Sequence, residues 1–332
     1  MKVKFWGTRG SIATPGLETY RYGGNTPCVS VRHKGSFLIL DAGTGIRKLG
    51  MFLQKSASGL PLEVHILLSH VHWDHIQGLP FFTPFFVPGN EIHIHGLPPS
   101  EKTLEQILAL QMNSEFFPVA MRDLPARIMV HDIHEEKLRI GPFTITYAFL
   151  NHPGITAGYR IEAGGKIVTY ATDTEPYRRL LADHHPSANV GATYGMNRDL
   201  DISHLAQDAD LYIADSQYTP EEYVNKHGWG HSSYYDAVHL ALEARAKRLA
   251  LFSHDPMHDD SAVDQKVAGA RRLAGISGSN MDIFAAAEGQ EIDLDVAEAN
   301  LGAGSGRQES GAGERSWPTA SQTGNKDFTF YI

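Results

Sequence analysis

Short apolar runs alternate with glycine-rich breaks through the first part of the chain. The runs Val3 to Trp6, Cys28 to Arg32, Phe37 to Leu40 and Val64 to Leu68 are rich in β-branched and aromatic residues. Such residues suit a pleated, half-buried surface and predict strands. Tyr22-Gly23-Gly24-Asn25 and Lys34-Gly35 supply turns between them. After Leu68 the pattern changes to a Pro-interrupted apolar segment, Ile76 to Val87, read as helical or irregular. Within Thr103 to Met112, Leu104, Ile107, Leu108 and Leu110 recur as on one face of a helix. Glu115-Phe116-Phe117-Pro118 follows as a lid or pocket wall.

Phe143 to Phe149, Gly158 to Ile161 and Ile167 to Tyr170 are further predicted strands, the last two joined as a hairpin across Gly164-Gly165. Leu211 to Ala214 and Leu249 to Phe252 read as buried strands. Ser232 to Ala246 reads as a helix capped by Ser232 or Ser233, with Ala237, Leu240, Ala241 and Ala244 on its packing face. Interleaved strands and helices without an internal repeat predict a layered α/β fold. From about Ala299 the composition collapses to Gly, Ser, Ala, Asn and Gln. Residues 1–298 are therefore expected to form one domain and residues 299–332 a disordered tail, with only Phe328 to Ile332 able to dock.

Composition narrows the classes. The chain has 332 residues, 42% hydrophobic and 20% charged, enough to bury a sizeable core. Its one cysteine, Cys28, excludes an internal disulfide and a cysteine-rich zinc ribbon, and suits a reducing compartment. No apolar run approaches the roughly 18 residues of a membrane span, so no membrane partner and a cytoplasmic location are expected. Lys plus Arg number 29 against 38 Asp plus Glu, and the net charge of -9 opposes unspecific attraction to phosphate backbones. Against this background 18 histidines stand out, and they raise the question of metal chemistry by imidazole and carboxylate.

Ser69-His70-Val71-His72-Trp73-Asp74-His75 follows a predicted strand and packs three imidazoles and a carboxylate together. His70 and His72 alternate as on an extended strand end and can share one metal, while Asp74 and His75 turn toward a second. These ligands suit zinc, manganese or iron(II) rather than calcium. Three other predicted strands end in a possible ligand: His152, Asp173 and His254. His152 would complete a three-histidine site with His70 and His72. His254 would join Asp74 and His75, and Asp173 could bridge the two. A solvated histidine-rich turn explains the motif alone, and a loop histidine explains His152 or His254 alone. Neither explains the whole set.

The order His70-x-His72-x-Asp74-His75, then His152, Asp173 and His254, each after a strand, resembles the metallo-β-lactamase fold of binuclear metal hydrolases over about residues 1 to 295. That resemblance implies an αββα sandwich of two mixed sheets with outer helices. It implies two divalent metal ions, Zn2+ foremost, with Mn2+ and Fe2+ as alternatives. Asp41, in Leu40-Asp41-Ala42-Gly43-Thr44-Gly45, matches the family's early strand-end aspartate, which buttresses the metal loop. A dinucleotide turn at Gly43 and Gly45 lacks the full glycine pattern.

Gly228-Trp229-Gly230-His231-Ser232-Ser233, with Leu249 to Pro256 beyond it, resembles the phosphodiesterase branch, which includes ribonuclease Z and cyclic-nucleotide or cyclic-phosphate phosphodiesterases. By that resemblance Asp74 is both ligand and proton acceptor, and His231, oriented by Asp215, protonates the leaving oxygen. Ribonuclease Z carries a glutamate where Asp215 stands, and its basic protruding arm has no counterpart in Asp183 to Gly195, which offers few cations. A small cyclic phosphodiester is the expected substrate, in a homodimeric enzyme. Nucleic acid, as tRNA 3'-end processing, is the alternative, and arylsulfatase, lactonase or lactamase chemistry stays open. Phe116, Phe117, Tyr194, Tyr218 and Trp229 are candidate stacking aromatics, each with core packing as its rival. A non-hydrolytic sensor conflicts with the complete ligand set. A flavin-linked di-iron role conflicts with His72, where those relatives carry Glu, and with the lack of room for a flavin domain.

Overall fold

A computed structural model describes residues 1–98, 101–178 and 198–296. Among these, the first half supplies β1 (Lys2–Gly7), β2 (Cys28–His33), β3 (Ser36–Leu40), α1 (Ile46–Ala57), β4 (Glu63–Leu67), α2 (Trp73–Ile76), β5 (Glu91–Gly96), α3 (Leu104–Gln111) and β6 (Arg127–Asp132). The second half supplies β7 (Lys137–Ile140), β8 (Phe143–Phe149), β9 (Ala157–Ala163), β10 (Lys166–Ala171), β11 (Leu211–Asp215), α4 (Pro220–Tyr223), α5 (Tyr234–Glu243), β12 (Arg248–Phe252), α6 (Asp260–Ile276), β13 (Asp282–Ala285) and β14 (Glu291–Asp293). The strands build two seven-stranded sheets, ordered β14-β1-β2-β3-β4-β5-β6 and β13-β12-β11-β10-β9-β8-β7. Both are mixed: β3 to β6 and β10 to β13 pair in parallel, while β1 to β3 and β7 to β10 pair antiparallel.

The facing sides of the sheets bury one apolar cluster that includes Phe5, Val31, Leu40, Ile145, Ile161, Tyr170 and Phe252. Each large side chain there contributes roughly 1.5–3 kcal/mol of transfer free energy. The outer faces are covered by helices. Ile46, Leu49 and Leu53 form the buried face of α1 and pack with Val64, Ile66, Ile92 and Ile94 of the first sheet. Val238 and Leu240 of α5, with Val263 and Ala270 of α6, pack on Tyr212, Leu249 and Leu251 of the second. The architecture is the expected αββα sandwich.

Local signals explain the element ends. Thr103 and Gln106 form a reciprocal capping box on α3. Ser233, rather than Ser232, caps α5 by accepting from Asp236 N, so that helix starts later than its apolar pattern suggested. Ser232 Oγ instead donates to the Thr174 carbonyl at 2.6 Å. Gly164 and Gly165 both take positive φ, 58° and 74°, as the tight β9–β10 turn requires. The expected disordered tail after Ala299, the segment Asp183 to Gly195 and Tyr194 all lie outside the described residues. Among the described residues no helix is long and apolar enough to cross a membrane.

Candidate metal centre

Parallel strands place their carboxyl ends on one rim, and that rim collects the chemistry. Asp41 follows β3 directly, with φ +59°, and is fully buried. Its carboxylate accepts four hydrogen bonds: from Ser69 N at 2.7 Å, Ser69 Oγ at 2.8 Å, Tyr170 Oη at 2.7 Å and His75 Nδ1 at 2.7 Å. The histidine loop after β4 is thereby tied to the end of β3 and to β10. Asp173 follows the end of β10 and is also left-handed, φ +52°. Its Oδ1 accepts from Thr172 Oγ1 at 2.7 Å, leaving Oδ2 to face the histidines.

The hydrogen-bond pattern assigns the tautomers. Ser69 Oγ gives its proton to Asp41, so at 3.0 Å it accepts one from His70 Nδ1. His152 Nδ1 donates to the Gly230 carbonyl at 2.8 Å. His75 Nδ1 donates to Asp41. In their neutral forms all three rings therefore hold an Nε2 lone pair toward the same point. Asp173 Oδ2 lies 3.2 Å from His75 Nε2 and 3.8 Å from His70 Nε2 and His152 Nε2. His72 Nδ1 is 3.0 Å from both His70 Nε2 and His152 Nε2. Asp74, in the first turn of α2, lies 3.3 Å from His75 Nε2 and accepts from Ser11 N at 2.9 Å.

Three overlapping ligand groups result: His70, His72 and His152; His70, His75 and Asp173, which shares His70 with the first; and His152, Asp173 and His231. Asp74 borders the second group through His75. Imidazole nitrogens and carboxylate oxygens converging at the floor of a cleft call for positive charge at the centre. Imidazole and carboxylate oxygen are the donors that zinc and its first-row neighbours take, so the residues present fit divalent metal ions.

Burial and the clustered charges set the protonation of the metal-free centre. Burial, with His75 close by, holds His70 well below the ordinary histidine range. Burial also lowers His72. Burial opposes the charged form of His75 as well, but the carboxylates of Asp74, Asp173 and Asp41 outweigh it and raise this residue well above its ordinary value. Burial likewise disfavours ionised Asp173, yet His75 and His231 hold it well below the usual carboxylate range.

His231 stands beside this centre, and its ring meets the ring of His152 edge-on at 5.1 Å. Its Nδ1 donates to Asp215 Oδ2 at 2.8 Å. Asp215 ends β11 and is itself fixed by Thr174 N and Gln217 N, both at 3.0 Å. Against the cost of burial, Asp215 and Asp173 push His231 up to about 9. Its ring is thereby fixed in orientation and favoured in the charged form beside His152 and Asp173.

His254 does not join Asp74 and His75. Its Nε2 is 2.8 Å from the Ala286 carbonyl, its ring meets Tyr22 edge-on at 5.6 Å, and it is fully buried. The residue that follows β12 directly is Ser253, left-handed at φ +58° like Asp41 and Asp173. Its Oγ packs against the Gly10 backbone, next to the Ser11 that bonds Asp74. One residue of register separates the two positions, and it turns the His254 ring away from the rim.

An open cavity of about 620 Å³ leads to the centre, lined in part by His72, Asp74, His152, Asp173 and His231. Trp73 and Trp229 also line it and are 80% and 58% exposed. Lys226 Nζ sits 3.9 Å from the Trp229 ring centroid. Of the candidate aromatics, only Trp229 is a lining residue among those described. Tyr218 is buried and meets His231 edge-on at 6.0 Å. Phe117 packs on Phe81 at 5.5 Å, and Phe116 is exposed away from the lining.

Sequence reasoning passed over two residues. Trp73 lies inside the histidine motif, where the ligand spacing alone gives it no role. Glu175 is buried, accepts from Tyr223 Oη, Gly228 N and Gly230 N at 2.6 to 3.0 Å, and so holds the loop that presents His231. A side chain at Gly230 would collide with the His152 ring. The signal for Glu175 was its position two residues after Asp173.

The model of the β-lactamase superfamily domain matches residues 37–254, well over half of the chain, and the chain belongs to that superfamily. In class it is a metal-dependent hydrolase of the metallo-β-lactamase fold, similar in sequence to ribonuclease Z. Ribonuclease Z of Haloarcula marismortui is 23% identical over 295 residues, covering 82% of this chain and 91% of the relative. Ribonuclease Z of Thermococcus onnurineus is 26% identical over 319 residues, covering 83% and 91%. Among solved structures, the short form of human tRNase Z superposes with a TM-score of 0.56 at 18% identity, covering 89% of this chain and 100% of that one. The metallo-β-lactamase fold protein YhfI of Bacillus subtilis reaches 0.58 at 19% identity, covering 88% and 99%. Likeness at these identities speaks for the fold.

Proposed function

We propose that the chain hydrolyses RNA phosphodiesters in the manner of a tRNA 3'-end processing endoribonuclease. The observation that carries the chemistry is the convergence of three imidazole Nε2 atoms on Asp173 Oδ2 beside a buried His231–Asp215 pair. His70, His72 and His152 would hold one divalent ion, and His75, Asp74 and Asp173 a second, with zinc the first choice. Bound there, such ions polarise a phosphodiester and lower the pKa of water. Asp74 would accept the proton of the attacking water. His231, oriented and kept charged by Asp215, would donate a proton to the departing ribose oxygen. Trp73 and Trp229 would stack on bases at the cavity mouth, with the Lys226 ammonium near the backbone phosphates.

The curated relatives favour RNA over the small cyclic phosphodiester suggested by charge. That second reading keeps one support: the net charge of -9 and the few cations in Asp183 to Gly195. Incubating metal-loaded protein with a precursor tRNA and, separately, with 2',3'-cyclic nucleotides separates the two. Single-site removal of the 3' trailer at physiological salt is the expected result. Turnover of the cyclic nucleotides without trailer cleavage would replace it with the second reading. A cytoplasmic homodimer is part of the proposal, and light scattering of the purified protein tests the dimer.

A further inference from the structure

The metal centre and the proton donor use His70, His72, His75, His152 and His231, which leaves most of the 18 histidines unexplained. Four of the others lie together on the first sheet. His65 stands on β4 directly opposite His93 on β5, and His95 on β5 stands opposite His131 on β6. Because side chains two residues apart share a face of a strand, the parallel register gathers all four rings on one side.

The contacts are close. His65 Nδ1 lies 3.1 Å from His95 Nε2, and His93 Nδ1 lies 3.0 Å from His131 Nε2. One ligand atom from each of His65, His93 and His95 falls within 4.8 Å of the others. Two nitrogens 3.1 Å apart subtend roughly a right angle at an ion bound about 2.0–2.1 Å from each. Glu63 Oε1 is 3.2 Å from His65 Nε2 and accepts its proton, which leaves Nδ1 with the lone pair. A carboxylate behind an imidazole is the arrangement that orients metal-bound histidines. His95 is buried and pushed down to about 3 by that burial and by its histidine neighbours, so its ring is neutral.

The geometry points to a separate transition-metal site on β4, β5 and β6, in which His65, His93 and His95 bind one Zn2+ or Cu2+ ion. His131 hydrogen-bonds the ring of His93, and Glu63 fixes the tautomer of His65. An all-imidazole donor set selects ions late in the first transition row and disfavours calcium and magnesium. The site would clamp the parallel strand β4 to β5 just before the histidine loop, where Leu68 N already bonds the His95 carbonyl at 2.8 Å.

The test uses the full chain saturated with Zn2+, desalted and analysed for metal, beside His65→Gln/His93→Gln. The variant is expected to retain one zinc equivalent less while hydrolysing bis(p-nitrophenyl) phosphate at the parental rate. In the zinc-saturated parent, added Cu2+ should displace that zinc and give an electron paramagnetic resonance spectrum with several nitrogen couplings, absent from the variant. Equal zinc content and equal copper spectra would reduce the four rings to a hydrogen-bonded ladder and overturn the site. Should the double variant fail to fold, Glu63→Gln serves, because its side chain is exposed. It should weaken zinc at this site roughly tenfold, and an unchanged affinity would again overturn the proposal.

Discussion

His231 donates its Nδ1 proton to Asp215 Oδ2 across 2.8 Å, and both residues are buried beside the histidine loop. The contact fixes which nitrogen remains for substrate: Nε2. It also favours the charged ring, the form able to donate. His231→Ala is expected to keep its metal yet lose roughly a hundred- to ten-thousand-fold in rate on a ribose leaving group. A p-nitrophenolate departs without a proton, so hydrolysis of bis(p-nitrophenyl) phosphate should fall far less. Asp215→Asn should give a milder version of the same split. Rates and metal content measured on both substrates decide, and equal losses on both would make His231 a phosphate binder.

The same pair sets a pH dependence of stability. A folded-state pKa of about 9 for His231 lies above the ordinary 6.5. The native protein therefore keeps a proton that the unfolded chain releases. The resulting stabilisation is complete below the unfolded value and is lost as pH rises through the folded one. For a group this buried the shift corresponds to something on the order of 3 kcal/mol. His75, also raised, acts in the same direction, whereas Lys266, lowered by burial to about 8, acts in the opposite one. The difference between parent and Asp215→Asn isolates His231. Urea midpoints of metal-stripped protein should fall between pH 6.5 and 9 more steeply in the parent than in the variant. Parallel curves would contradict the assignment.

The placement of His70, His72, His75, His152 and Asp173 is legible in the sequence, because each follows a run with the period of a strand and parallel strands share a rim. The outer layers were harder to read. In α6, Val263, Val267, Ala270 and Ala274 face the core, but small alanines carry a weak periodic signal. In β5, Ile92 and Ile94 alternate with His93 and His95, and histidine counts as polar although His95 is buried. His254 departs from the expected place for a different reason. The strand-end rule holds, but it applies to the left-handed residue at 253, and sequence periodicity carries no sign of φ.

Asp41 joins three elements through one carboxylate, so its removal should be felt in both metal binding and folding. Asp41→Ala leaves Ser69 N, Ser69 Oγ, Tyr170 Oη and His75 Nδ1 without an acceptor. A loss on the order of 3 kcal/mol or more is expected, with zinc affinity down roughly 10- to 100-fold. Tyr170→Phe removes a single donor and should cost about 1 kcal/mol with metal content intact. Chemical denaturation and competition with a zinc chelator measure the two effects. Tyr170→Phe matching Asp41→Ala in metal loss would mean that the tyrosine, and not the carboxylate, positions the loop.

His254 and Ser253 offer opposite readouts of the register at the end of β12. His254→Ala deletes a buried ring and leaves the Ala286 carbonyl without its donor. The expected cost is on the order of 2–4 kcal/mol of stability, with metal content per folded molecule unchanged, since the ring points toward Tyr22 and not toward Asp74. Ser253 Oγ is buried without a hydrogen-bond partner among the described residues, so Ser253→Ala should be close to neutral for stability. It adjoins the Gly10–Ser11 backbone that bonds Asp74, so any loss of metal at this corner should follow residue 253 and not residue 254. Elemental analysis and denaturant titration of both variants settle the point. A His254→Ala protein that folds with parental stability but loses one metal equivalent would restore His254 as a ligand and require the turn after β12 to rearrange when metal binds.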